Sequence, residues 1–148
     1  MSDERQLCTF IVKDQLFGVE IEGVQELLRH QPMTPVPLSS REIAGLINLR
    51  GQIVIAIDLR HLLGLEPRAD GELPMNVILR TGDALVSLLV DDIGDVVEVP
   101  QSSFEPPPDT LDGTGRELIR SVVMLEKNLL LLFDTEKAVM ADSAANPH

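Results

Sequence analysis

The chain has 148 residues, 44% of them apolar, with 24 acidic side chains against 12 basic ones and a formal charge of −12. A chain of this size buries roughly 70% of its unfolded surface, enough for one compact domain or two small fused barrels. The charge opposes a sequence-independent grip on phosphates, and with no Trp or Tyr and only Phe10, Phe17, Phe104 and Phe133 there is no platform for stacked bases, so nucleic acid is excluded as an expected partner.

In chain order, the polar start Met1 to Gln6 carries no signal-peptide core, and nowhere do 18 uncharged apolar residues run together; the expectation is a cytosolic protein with no membrane insertion. Segments 8–12 and 16–21 read as aliphatic strands joined by the tight connection Lys13-Asp14-Gln15. Ser39 can cap a helical turn with Glu42 reaching back. Segment 53–57 is a third strand, and Asp58 then sits where strand gives way to a helical turn that Gly64 stops. After the polar link 66–72 come strands 76–79, 84–90 and 129–133, with Thr81-Gly82-Asp83 between the first two. Segment 100–109, rich in proline, is expected as an exposed excursion, and 141–148 as a frayed tail.

The strongest pattern is internal. Residues 47–58 lie over 123–134 at an offset of 76, apolar on apolar and Asp58 on Asp134, while 17–27 lie over 86–96 at an offset of 69. The difference of seven residues places a longer loop in the second copy. Two related halves, approximately 7–66 and 72–140, each made of short strands, imply paired small β-barrels sharing a buried seam.

Groups that could carry catalysis do not converge. Ser39, Ser40, Asp58 and His61 supply the residue types of a hydrolytic triad without a Gly-x-Ser-x-Gly elbow. Neither Asp58 nor Asp134 begins the Asp-Thr-Gly of a two-barrel protease. Asp91, Asp92 and Asp95 read as a solvated acidic turn, since no phosphate-binding loop accompanies them. The single cysteine, Cys8, reads as a half-buried strand residue; with His30, His61 and His148 it does not make a zinc site. The expectation is no enzyme, no metal and no cofactor, in a domain whose aliphatic surface serves interfaces.

The residues resemble one family closely. Phe17-Gly18-Val19-Glu20-Ile21 with Val24-Gln25-Glu26-Leu27, Gly45 through Val54 with its Asn48-Leu49-Arg50-Gly51, Ile57-Asp58-Leu59-Arg60, and Val90-Asp91-Asp92-Ile93 with Asp95-Val96 are similar to the CheW-like domain of bacterial chemotaxis, over 7–140. The resemblance implies an all-β fold with a few short helices, built as two fused five-stranded SH3-like barrels. It also implies a stand-alone, non-enzymatic adaptor that joins the cytoplasmic tip of chemoreceptors to a CheA-type histidine kinase through its regulatory domain, recruited to receptor arrays. Its groove positions fall on Val24, Glu26, Arg50 and Gly51, where a guanidinium at a glycine turn can reach a helix tip and Glu26 can orient it; its kinase-side positions fall on Cys8 and Val19. The alternative is a regulatory peptide- or ligand-binding β-domain outside such arrays. The module serves pathways driving swimming, pili, gliding or cyclic-dinucleotide synthesis, and the sequence does not choose among them.

Overall fold

The computed structural model describes residues 4–36, 43–69, 71–82, 84–108 and 116–135. Ten strands follow one another there: β1 (Glu4–Val12), β2 (Gln15–Glu20), β3 (Val24–Leu28), β4 (Ile43–Leu49), β5 (Gln52–Asp58), β6 (Met75–Thr81), β7 (Ala84–Val90), β8 (Asp92–Pro100), β9 (Ile119–Met124) and β10 (Leu129–Phe133). One short helix, α1 (Leu59–Leu62), begins at Asp58, whose Oδ1 accepts the Arg60 N–H at 3.0 Å. The expected strands are all present, and Gly64 follows α1 at φ 73°. The cap proposed for Ser39 and Glu42, the residue Asp83 and the tail 141–148 lie outside the described residues.

The strands form two five-stranded sheets. A terminal sheet has the order β8-β1-β2-β10-β9, and a central sheet has the order β3-β6-β7-β5-β4. Mapping β1–β5 onto β6–β10 converts one order into the other, and the pairing repeats residue by residue at the two offsets. Leu7↔Glu20 becomes Asn76↔Leu89, and Gly18↔Leu132 becomes Ser87↔Ala56 with the sheets exchanged. Even the irregularity at the start of β4 recurs at the start of β9. The duplication is therefore a property of the backbone as well as of the sequence.

The two copies do not form one sheet each; strands of both interleave in each sheet. β1 and β2 pair with β8 and β10 of the second copy, and β3 and β5 pair with β6 and β7. The reason lies in the connections. Only the 3-10 turn Ile21–Gly23 separates β2 from β3, and only Asp91 separates β7 from β8. Neither connection closes a hairpin; each carries the chain out of one sheet and into the other.

Three apolar clusters follow from the alternation of side chains along strands. Facing residues of both sheets, including Phe10, Phe17, Val19, Leu79, Leu88 and Phe133, share the largest. The opposite faces enclose private clusters, Ile47, Val54, Ile78 and Leu89 in the central sheet and Leu7, Val99, Leu130 and Leu132 in the terminal one. Each sheet curls around its private cluster. β3 and β4 are opposite edges of the central sheet, yet Leu28 of β3 packs in the cluster of Ile47 and Leu49, and Thr34 bridges to Leu46 of β4. In the terminal sheet Glu105 bridges to Val122 in the same way and Phe104 packs on the private cluster. Segment 100–108 is mostly exposed, as expected, and is held along the terminal sheet by Phe104 and the Glu105 bridge.

Candidate functional site

The motif Asn48-Leu49-Arg50-Gly51 forms the β4–β5 hairpin turn. Arg50 and Gly51 both take positive φ, 51° and 86°, the geometry of a two-residue turn whose twist suits the flanking strands. The Asn48 Oδ1 accepts the Gly51 N–H at 2.9 Å and fixes it. Glycine at position 51 is the expected residue for this turn; the left-handed conformation of Arg50 itself is not legible in its side-chain type.

That turn raises the Arg50 side chain into solvent at 68% exposure, where its guanidinium pairs with the carboxylate of Glu26 on β3. Residues 24 positions apart, on opposite edges of the central sheet, thus meet because the sheet curls. Val24 opens β3 opposite Leu79, half-buried against the shared cluster. Val24, Glu26, Arg50 and Gly51 therefore belong to one sheet, with an ion pair of Glu26 and Arg50 at the surface. Beside Val24, a cleft of about 460 Å³ runs along the junction of the sheets, with Glu20, Glu22, Gly23, Leu79, Arg120 and Phe133 in its walls. Arg5 pairs with Glu20 there at 3.3 Å.

Cys8 and Val19 are a different case. They face one another across β1 and β2 in the shared cluster, each 1% exposed. The alternation that puts Phe10 and Phe17 inside puts both side chains in the core, with Val19 also in the wall of the cleft. Burial also pushes the Cys8 thiol above its ordinary pKa, disfavouring the thiolate.

The sequence reading missed the engagement of Asp91. Far from a solvated turn, its carboxylate receives the Arg60 fork at 2.9 and 2.7 Å and the Lys13 N–H at 2.8 Å. Desolvation pushes the Asp91 carboxyl up, but the Arg60 fork, the Lys13 N–H and the charge of Arg68 outweigh it and hold the group below its ordinary value. Asp58 is likewise occupied by Arg68, at 3.0 and 3.1 Å, while His61 is exposed. The signal that could have found this network is Arg60, in Asp58-Leu59-Arg60, with Arg68 in the link. Among the described residues no group of His, Cys, Asp or Glu could hold a metal ion, and no helix is long and apolar enough to cross a membrane.

The sequence matches the CheW-like domain family over residues 6–142. The chain belongs to that family. It is 32% identical to the chemotaxis protein CheW of Treponema pallidum, with 93% of this chain and 84% of the relative covered, and 30% identical to a probable chemotaxis protein CheW of Rhizobium etli, with 90% and 86% covered. The scaffolding protein TtCheW of Thermoanaerobacter tengcongensis has the same fold, with a TM-score of 0.79 over 87% of this chain and 88% of that one at 24% identity. Two curled five-stranded sheets are thus the CheW-like architecture, in agreement with the all-β fold expected.

Proposed function

We propose that this CheW-like chain is a non-enzymatic adaptor in chemosensory signalling, coupling the cytoplasmic tip of chemoreceptors to the regulatory domain of a CheA-type histidine kinase. The observation that carries the reading is the Arg50–Glu26 pair on a rigid hairpin turn. An exposed ion pair adds little to stability, about 0–1 kcal/mol, so its fixed geometry points to recognition. Arg50 presents a planar fork to carboxylates or free carbonyls at a helix tip, and Glu26 holds that fork in one direction. Val24 supplies an apolar neighbour and Gly51 the turn. Nothing in this role needs a cofactor; the adaptor acts by holding partners in one geometry, and signal passes as a shift in the kinase's populated states.

The test is a pull-down against a CheA-type regulatory domain and a receptor signalling fragment. Retention of both is expected, with Arg50→Ala and Glu26→Lys losing the receptor fragment and keeping the kinase domain. A wild-type chain that retains neither ends the reading.

A further inference from the structure

Four charged side chains cluster at one end of the central sheet, beside the point where β7 crosses into β8 of the terminal sheet. Asp58 ends β5 and Arg60 lies on α1, next to the central sheet; Arg68 lies on the link; Asp91 is the residue between β7 and β8. Arg68 is only 9% exposed and reaches three ways, to both Asp58 oxygens, to the Leu89 carbonyl at 3.2 Å, and to Asp91 through an Nε 3.0 Å from Oδ1 that makes no hydrogen bond. Asp91 in turn accepts from Lys13 N, in the β1–β2 turn, and its own N–H donates to the Ile11 carbonyl. The cluster therefore ties central-sheet residues (Asp58, Leu89) to terminal-sheet residues (Ile11, Lys13).

Duplication makes the cluster informative. The counterparts of Asp58 and Asp91 are Asp134 and Glu22, and both line the cleft. The hydrogen bonds of Arg5 at that cleft, to Glu20 and Gln101, stay on the terminal-sheet side, and none reaches the central sheet. Among the described residues, a forked, cross-sheet arginine network thus stands at one of the two equivalent places and a cleft at the other. The apolar cluster between the sheets favours burial without direction, whereas forked charge-assisted bonds have one geometry.

We infer that Arg60, Arg68 and Asp91 form a clamp that sets the position of one sheet relative to the other, and that through it they are positioning residues for the partner surface of Val24, Glu26 and Arg50, which they do not touch. The second half of the inference rests on the proposed adaptor function; the first does not. Arg50 and Asp58 sit at opposite ends of β5, about 25 Å apart along an extended strand, so a change at the clamp reaches the partner surface only by moving β5 and its sheet.

The full-length chain tests it. Cysteines introduced at Ile53 and Met124, which are 59% and 69% exposed, report from the central and terminal sheets, and Cys8 is too buried to take a label. Spin-label distance distributions are compared in the parent, Arg68→Ala, Arg68→Lys and Asp91→Asn. The expected result is a shifted or broadened distribution in Arg68→Ala and Asp91→Asn with a cooperative melt retained, and a smaller change in Arg68→Lys. Unlabelled versions should bind the receptor fragment about five- to tenfold more weakly. Distributions that superimpose on the parent in folded variants overturn the clamp; altered distributions with unaltered affinity overturn its role in positioning. Failure of the wild-type chain to bind the fragment tells against the adaptor reading, and the label distances still judge the clamp.

Discussion

The two sheets share one register and fill it differently. In the terminal sheet Leu7, Gly18 and Leu130 occupy three equivalent positions whose partners in the central sheet are Asn76, Ser87 and Val54. Gly18 leaves room that Leu130 takes: a Cβ on Gly18 would lie 3.1 Å from a Leu130 methyl. In the central sheet the Ser87 hydroxyl donates to the Asn76 Oδ1 at 2.7 Å, and the Asn76 Nδ2 donates to the Arg29 carbonyl at 3.0 Å. Both solutions are fully buried. One fills the space with a methyl group and the other with a satisfied polar pair, and the pair additionally pins the segment that leaves β3 toward the other edge. A single backbone register therefore does not dictate the chemistry of its core; it dictates the volume and the need to satisfy whatever polar groups enter.

The strongest way to break the comparison is to separate the copies. Because each sheet needs strands from both, 1–66 and 72–148 expressed alone should be insoluble or unfolded, and coexpressed they should give a soluble complex with the cooperative melt of the intact chain. A stable monomeric first half would contradict the interleaving. Next in size, Asn76→Leu should destabilise by about 2–3 kcal/mol in denaturant melts, since it orphans the buried Ser87 hydroxyl and takes from the Arg29 carbonyl one of its two side-chain donors. Adding Ser87→Gly and Val54→Leu, which rebuilds the terminal-sheet solution in the central sheet, should recover part of that loss. Gly18→Ser should cost about 1–3 kcal/mol by overpacking, with partial rescue by Leu130→Val in a double-mutant cycle.

A smaller effect follows from the clamp. The folded Asp91 carboxyl lies below its ordinary 3.8, so it binds a proton less readily than in the unfolded chain. Its contribution is present above that ordinary value and is lost as pH falls through the depressed one. Stability against pH should accordingly fall less steeply below about 4 in Asp91→Asn than in the wild type. Arg50→Ala should be the smallest, within about 0.5 kcal/mol, because its pair is exposed; a large fall in melting temperature would mean the turn is structural and not a contact surface.

Much of this was legible in the sequence, for physical reasons. Strands such as Leu129–Phe133 and Ala84–Val90 are aliphatic and bounded by turn residues, and the offsets of 69 and 76 were visible because equivalent positions bury equivalent faces. β3, β4, β8 and β9 were hidden. All four are edge strands, and β3 and β8 carry Glu26, Asp92, Asp95 and Glu98 where a central strand would be apolar. The exchange of strands between copies was also invisible, because periodicity reports which face is buried and not which neighbour buries it. The same limit applies to Cys8 and Val19: a family position carries over by sequence, while exposure depends on the opposing sheet. That Glu26 orients Arg50 was expected from the family resemblance, while the curl that brings opposite edges of the sheet together was not legible.

The interleaving also sets an order for assembly during synthesis. The central sheet takes β3 through β7 and is complete in sequence once residue 90 has been made. The terminal sheet must wait: Gln15 bonds to the Leu129 carbonyl 114 positions away, so the β2 edge of the β1–β2 hairpin stays unpaired until almost the last strand leaves the ribosome. Contacts of such long sequence separation form slowly. Nascent chains of this protein therefore carry an open strand edge at the amino-terminal hairpin for most of their translation.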